Sequence, residues 1–236
     1  DIIDMHMDGG TIGNQDISIQ LNDGTGTFTA SEISNVGEIS SITVADINGD
    51  GFADILAADD TFDEVIPLIN NTDGTFTQAA GVSVAAIANN TFLRNVIGAG
   101  DIDGDGDIDL AVNVATGVTL LTNDGTGSFT VGTTIATTGL RLELSDVDND
   151  GDADLVQADG INVNVHINDG TGTFAAAIAY PNNTANSTSI RTVDLTGDGF
   201  VDIVTTHSPG SGGNDVNVLV NLGDGTFWRQ IAAQNL

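Results

Sequence analysis

One nine-residue acidic segment, Asp-x-x-x-Asp-Gly-x-x-Asp, occurs four times in this chain, and no other feature restricts its fold as much. The copies are DINGDGFAD at 46–54, DIDGDGDID at 101–109, DVDNDGDAD at 146–154 and DLTGDGFVD at 194–202. They recur about every 50 residues, a spacing that marks a repeated supersecondary unit. A second motif alternates strictly with the first: NDGTGTF at 22–28, NTDGTF at 71–76, NDGTGSF at 123–129, NDGTGTF at 168–174 and GDGTF at 223–227. The opening DIIDMH matches the six residues that begin at the last Asp of each acidic segment, so Asp1 aligns with Asp54, Asp109, Asp154 and Asp202. The sequence therefore holds four whole units and most of a fifth, and it reads as a mature or excised piece.

Between the motifs, runs such as SITVADI, VNVHIND and VNVLVNL alternate with the period of two that half-buried strands require, and β-branched residues are frequent. No stretch carries an amphipathic helical pattern. Each unit reads as strand, acidic loop, strand, short turn, strand, Asn-Asp-Gly turn, strand. In the second unit the strands are expected near 40–46, 53–59, 64–70 and 75–84. Four antiparallel strands per repeat of this length predict an all-β fold, a β-propeller of four-stranded blades. A β-solenoid is the alternative, but its rungs are shorter and parallel. With 40% hydrophobic residues the chain can bury a core. The expected organisation is a single repeat domain, 1–236, with about five blades at 1–38 (lacking its first strand and acidic loop), 39–92, 93–138, 139–185 and 186–236, either closing on themselves or forming part of a larger ring.

The acidic loop has the chemistry of a hard-cation cage. Side chains at positions 1, 3, 5 and 9 offer oxygen, position 7 offers its carbonyl, and Gly at position 6 permits a sharp turn. The expected ligands are Asp46, Asn48, Asp50, the Phe52 carbonyl and Asp54 in the first loop, and Asp101, Asp103, Asp105, Asp107 and Asp109 in the second. In the third they are Asp146, Asp148, Asp150, Asp152 and Asp154, and in the fourth Asp194, Thr196, Asp198, Phe200 and Asp202. Asp107 and Asp152, at position 7, are expected to point outward and lend only their carbonyls. An EF-hand would carry Glu at position 12, where these loops have Ala57, Val112, Gln157 and Thr205. Crowded carboxylates suit the high coordination number of Ca2+ better than the strict octahedron of Mg2+. Acidic turns alone would leave that crowding uncompensated, so about four Ca2+ sites are expected, the Thr196 loop weakest.

The charge balance narrows function. Against 34 Asp+Glu, of which 30 are Asp, stand 4 Arg and no Lys, for a formal charge of −30. Phosphate-backbone contacts to nucleic acid are thereby excluded, and an anionic membrane surface is disfavoured. The absence of Cys removes disulfides, thiolate catalysis and Cys-ligated zinc. No apolar run reaches the length of a membrane span. An acidic, Asn/Thr/Gly-rich, cysteine-free composition points to an extracellular or cell-surface location.

The alternation of these loops with NDGTGTF turns resembles the FG-GAP or VCBS-type repeats of extracellular β-propellers, among them the calcium-bearing blades of integrin α-chain heads and some propeller lectins. The resemblance spans essentially the whole chain. It implies that the acidic motif joins the first two strands of a blade and binds calcium there. Thr196, the missing first loop and a repeat count below the family's usual seven or eight depart from the pattern, and bear on ring closure.

In the second motif, Asp-Gly and Gly supply hairpin residues of positive φ, and Phe28, Phe76, Phe129, Phe174 and Phe227 are expected to pack between blades. Trp228 and Tyr180 are the only Trp and Tyr, which weakens a sugar-stacking reading. No nucleophile elbow, HExxH, phosphate loop or dinucleotide fingerprint occurs. His6 and His207 fall at equivalent variable positions and His166 stands alone in a strand pattern, so no enzyme is expected. The expected function is a calcium-stabilised, non-catalytic adhesion or ligand-binding module whose partner is a protein or cell-surface glycan. The alternatives are a structural or filament-forming subunit, self-associating through the open first blade, and an appendage of a polysaccharide-processing enzyme. Partner contacts are expected on segments 85–95, 181–189 and 207–215. Asn70, Asn89, Asn182 and Asn186 open glycosylation sequons.

Overall fold

The computed structural model describes residues 2–7, 15–59, 61–84, 96–139, 141–182, 187–207 and 216–230. Among them are twenty strands and no helix. Blade one holds β1 (Ile2–Met7), β2 (Gln15–Asn22) and β3 (Phe28–Gly37) in that spatial order. Blade two holds β4 (Ile39–Ala45), β5 (Asp54–Asp59), β6 (Glu64–Asn70), β7 (Phe76–Gln78) and β8 (Val82–Ser83). Blade three is β9 (Ile97–Gly100), β10 (Asp109–Val114), β11 (Gly117–Asn123) and β12 (Phe129–Ile135). Blade four is β13 (Arg141–Ser145), β14 (Asp154–Ala158), β15 (Asn162–His166) and β16 (Ile178–Pro181). Blade five is β17 (Ser187–Val193), β18 (Asp202–His207), β19 (Val216–Asn221) and β20 (Phe227–Gln230). All pairings are antiparallel between sequence neighbours, apart from the β6 pairing with β8. Among the described residues, the first sheet shows no strand equivalent to β4, β9, β13 and β17.

The fourth strand of blade two is broken, where the sequence pattern predicts one continuous strand over 75–84. Ala79–Gly81 stand opposite Ile66 and Pro67, three residues against two, between the pairs Leu68↔Gln78 and Val65↔Val82. The Pro67 carbonyl accepts from Ala79 N at 2.9 Å. A strand residue's N–H and C=O point to the same side, so the donor that Pro67 lacks is missing from this ladder, and the chain bulges past it.

The core lies between blades rather than within any one of them. Ile17, Ile19 and Val36 of blade one meet Ile55, Ile66 and Leu68 of blade two. Leu56 and Val65 meet Ile97, Leu110 and Leu121; Ala111 and Leu120 meet Leu142 and Leu155; Val156 and Val165 meet Ile190, Ile203 and Leu219. Each buried Val, Leu or Ile side chain among these contributes about 1.5–3 kcal/mol. A middle strand covered on both faces reads as a continuous apolar run, and every residue of β5, β10 and β14 is buried. The first strands touch in the series β4, β9, β13, β17, which is the arrangement of propeller blades around an axis. Along this line lies a cavity of about 260 Å³ lined by Ile42, Thr43, Gly98, Leu144, Glu143 and Arg191. Glu143 and Arg191 pair across it at 2.6 Å.

Candidate metal centres and the clamps that position them

Each acidic segment joins the first and second strands of its blade, and its own carboxylates fold it. The position-1 Asp accepts from the backbone N–H of the position-6 Gly: Asp46 from Gly51 at 2.8 Å, Asp101 from Gly106 at 2.9 Å, Asp146 from Gly151 at 3.1 Å and Asp194 from Gly199 at 3.0 Å. The position-5 Asp caps position 7 in the same way, from Asp50 to Asp198. These contacts are Asx-type turns, available because Asp has a short acceptor arm.

The ninth-position Asp is fully buried in all four loops and spends both oxygens on backbone donors. One oxygen accepts from position 2 of its own loop, at 2.9–3.0 Å, the donors being Ile47, Ile102, Val147 and Leu195. The other accepts from Asn70, Asn123, Asn168 or Asn221, the residue that opens the blade's later turn, at 2.7–2.9 Å. Burial pushes the Asp54 and Asp109 carboxyls up and takes Asp154 to about 6, the backbone donors opposing this only in part.

Two loops converge three carboxylates. Oxygens of Asp101, Asp103 and Asp109 all lie within 4.8 Å of one another, and so do those of Asp146, Asp148 and Asp154. In the first and fourth loops Asn48 and Thr196 replace the third acid, and no carboxylate triad forms there among the described residues. Asp105 and Asp150, at position 5, stand outside the triads, as do Asp107 and Asp152. The position-7 side chains lean over a glycine of the blade's own later turn: Asp107 over Gly125, Asp152 over Gly170 and Phe200 over Gly223.

The triads fit a hard cation. Every donor is an oxygen, and Asp148 Oδ1 is buried without a hydrogen-bond partner. Burial, and next the charges of Asp105 and Asp150, push Asp103 and Asp148 up. A divalent ion at either triad would relieve that crowding and take up the orphaned oxygen.

The turn motif does more than reverse the chain. In all five copies it spans seven residues from an Asn to a Phe, beginning at Asn22, Asn70, Asn123, Asn168 and Asn221. Positions 3 and 5 have positive φ throughout, with Thr72 at φ 68° the one residue other than Gly. The Asn side chain reaches one blade back. Asn123 Nδ2 donates to the Ile47 carbonyl, Asn168 to that of Ile102 and Asn221 to that of Val147, each at 2.7 Å. A second bond from the same amide goes to the carbonyl of Ile108, Ala153 or Val201 in its own loop. Sequence reading missed this clamp because the Asp-Gly-Thr triplet slides by two residues between copies, which hides Asn70 and Asn221. Aligning on the terminal Phe recovers them.

Four of the five expected interblade phenylalanines pack as anticipated, Phe76, Phe129 and Phe174 within interblade clusters and Phe227 edge-on to Tyr180 with ring centroids 5.4 Å apart. Phe28 does not: it is exposed, because no blade precedes its own among the described residues. His166 is buried, with Nδ1 3.1 Å from the Ala175 carbonyl, and desolvation pulls its pKa down. Asn182 is also buried, bonded to Thr205 and Asn217, so this sequon offers no amide for glycosylation in the folded chain. Segment 85–95, most of 207–215, residues 183–186 and the sequons at Asn89 and Asn186 lie outside the described residues.

The FG-GAP-like repeat family model matches four stretches, residues 4–57, 49–112, 101–156 and 146–205. Among solved structures, an Agrocybe aegerita lectin reported for specific recognition of non-reducing terminal N-acetylglucosamine is similar, with a TM-score of 0.68 and 23% identity over 95% of this chain and 64% of that one. The chain thus spans just under two thirds of that lectin's length. The Photorhabdus luminescens Tc holotoxin pore is matched at TM-score 0.50 and 15% identity over 92% of this chain and 11% of that chain. The V. cholerae biofilm matrix protein Bap1 is matched at 0.49 and 17% over 98% and 39%. Comparison with curated protein sequences gives no match.

Proposed function

The chain belongs to the FG-GAP-like repeat family, and from that premise we propose that it is a calcium-stiffened, non-catalytic propeller that binds glycan outside the cell. The observation that carries the calcium reading is the pair of carboxylate triads, Asp101–Asp103–Asp109 and Asp146–Asp148–Asp154, with the orphaned Asp148 oxygen in the second. Bound there, Ca2+ would take six to eight oxygen contacts and lock the loop between first and second strands. Asn48 and Thr196 leave the outer two loops a weaker set, with Asp50 and Asp198 among their remaining acids.

A non-catalytic role is supported by where the acids are spent. The carboxylates of the loops hold backbone N–H groups, and the buried His166 faces a carbonyl. The glycan reading is supported by the lectin of like fold and by family membership, and an extracellular setting by the same family membership and the acidic, cysteine-free composition. Binding to an array of N-acetylglucosamine-terminated and other glycans, run in millimolar calcium and again in chelator, tests it. Calcium-dependent binding to a defined terminal sugar is expected, and no binding to any glycan in saturating calcium would overturn the reading.

A further inference from the structure

Asn48 is the only asparagine in the sequence that is followed by glycine. In such a pair the backbone nitrogen of the glycine can attack the side-chain amide before it, because no side chain stands in the way and the backbone bends freely. The first acidic loop leaves that attack open. Asn48 is half-buried and Gly49 exposed, and a Cβ at Gly49 would meet nothing within 4 Å.

The attacking nitrogen is held in the other three loops and free in this one. Position 4 donates its N–H to the position-1 Asp from Gly104 to Asp101 at 2.8 Å, from Asn149 to Asp146 at 2.7 Å and from Gly197 to Asp194 at 2.7 Å. In the first loop Asp46 accepts from Asp50 and Gly51 instead, and the Gly49 N–H has no hydrogen-bond partner among the described residues. The amide under attack is also aligned. Asn48 Oδ1 accepts from the Asp50 N–H at 3.0 Å, a donor placed where negative charge develops as the carbonyl is attacked. Asn48 Nδ2, the nitrogen that leaves, donates to Asp50 Oδ2 at 3.1 Å.

We propose that Asn48 is a self-modification site, deamidated in the folded chain by Gly49. The Gly49 nitrogen gives its proton to hydroxide and bonds to Asn48 Cγ, closing a five-membered imide. The Cγ–Nδ2 bond breaks, and the nitrogen takes a proton from water and leaves as ammonia. A further water opens the ring, so that amide and water become carboxylate and ammonium overall. Opening at Cγ leaves an aspartate at position 48, and opening at the main-chain carbonyl leaves an isoaspartate, whose extra backbone carbon disrupts the loop. The aspartate product gives the first loop the acid that Asp103 and Asp148 supply at the same position of the triads. This loop therefore gains a third carboxylate as the protein ages. The gain for calcium rests on the calcium reading; the deamidation itself does not.

The test is peptide mapping by mass spectrometry of the chain held in mildly alkaline buffer with chelator, folded and in urea, which follows amide-to-acid conversion at every asparagine. Wild type is compared with Asp103→Asn, which sets a second Asn-Gly pair in the loop where the Gly104 N–H is held by Asp101. In the folded chain Asn48 should convert before any other native asparagine, and about tenfold faster than the introduced one, the rate equivalent of one charge-assisted hydrogen bond. In urea the two pairs should convert at similar rates. An Asn48 that stays intact in the folded chain while converting in urea overturns the proposal, and so do equal rates in the two folded loops. Calorimetric titration of Asn48→Asp should show one more tight calcium site than fresh wild type. An unchanged number of sites overturns the gain of a metal centre but not the deamidation, and calcium bound by neither chain overturns the calcium reading itself.

Discussion

The amide nitrogen of Asn123 lies 2.7 Å from the carbonyl oxygen of Ile47, a residue 76 positions earlier and one blade back. The same Asn takes an Asp109 oxygen on its backbone N–H at 2.7 Å, so one residue ties together its own turn, its own acidic loop and the loop before it. The acidic loop is therefore a joint between blades as well as a candidate cation cage.

Removing the clamp should cost more where it bridges blades. Asn123→Ala strands the Ile47 and Ile108 carbonyls in a buried setting, and a loss of about 1–3 kcal/mol is expected. Asn70→Ala removes a side-chain bond to the Ala53 carbonyl and the bond that Thr72 N–H donates to Asn70 Oδ1, both where water can replace them, and should cost less than Asn123→Ala, about 1 kcal/mol. Urea unfolding of both variants decides it, and equal losses would count against the interblade role.

Calcium should bind tightly at two loops and weakly at the other two. Calorimetric titration is expected to show two high-affinity sites, one lost in Asp103→Ala and the other in Asp148→Ala, while Asp198→Ala leaves both. At 100 times its dissociation constant each site adds about 2.7 kcal/mol, so melting in chelator should fall well below melting in millimolar calcium. Four equivalent sites would show that the third acid at position 3 is not what sets affinity.

Without calcium, burial makes Asp154 hold its proton to about pH 6, above the 3.8 of an ordinary Asp. A raised folded-state pKa favours folding below the unfolded value and loses that advantage as pH rises through the folded one. Stability in chelator should thus fall between about pH 4 and 6 on account of this group, by on the order of 3 kcal/mol. His166 runs the other way: its lowered pKa means stability present above 6.5 and lost as pH falls below it. Carboxyl and imidazole NMR titrations separate the two, with an Asp154 midpoint near the ordinary Asp value as the outcome that refutes the first.

Two glycines in equivalent turns should respond differently to Ala. Gly26 and Gly225 have φ of 88° and 73°, so both variants carry the left-handed strain of about 1–2 kcal/mol. A Cβ at Gly225 also comes within 2.9 Å of the Asp148 Cβ in blade four. Gly225→Ala should therefore lose about 1–3 kcal/mol more than Gly26→Ala in thermal unfolding of the dilute protein.

The period of the acidic loops, together with strands alternating about Asn-Asp-Gly turns, determined the unit, the all-β class and the alignment of Asp1 with the last Asp of each acidic segment. Each of these is local: a turn needs its Asp and Gly at fixed offsets wherever the strand goes next. Local patterning also placed the acids at positions 1, 3 and 9, which the structure brings together in two loops. It did not distinguish the position-5 and position-7 acids, whose oxygens and side chains are drawn to nearby backbone and to the turn glycines. What only the tertiary structure decided was everything that passes between blades. The ninth Asp is a backbone staple because the later turn, 14 to 19 residues on, or 16 in blade two, folds against it. Phe28 and Leu195 are exposed while their counterparts are buried or half-buried, although the motifs around them are the same. A side chain's burial depends on which sheet lies against it, and a repeat sequence, alike in pattern from blade to blade, carries no mark of which faces another sheet covers.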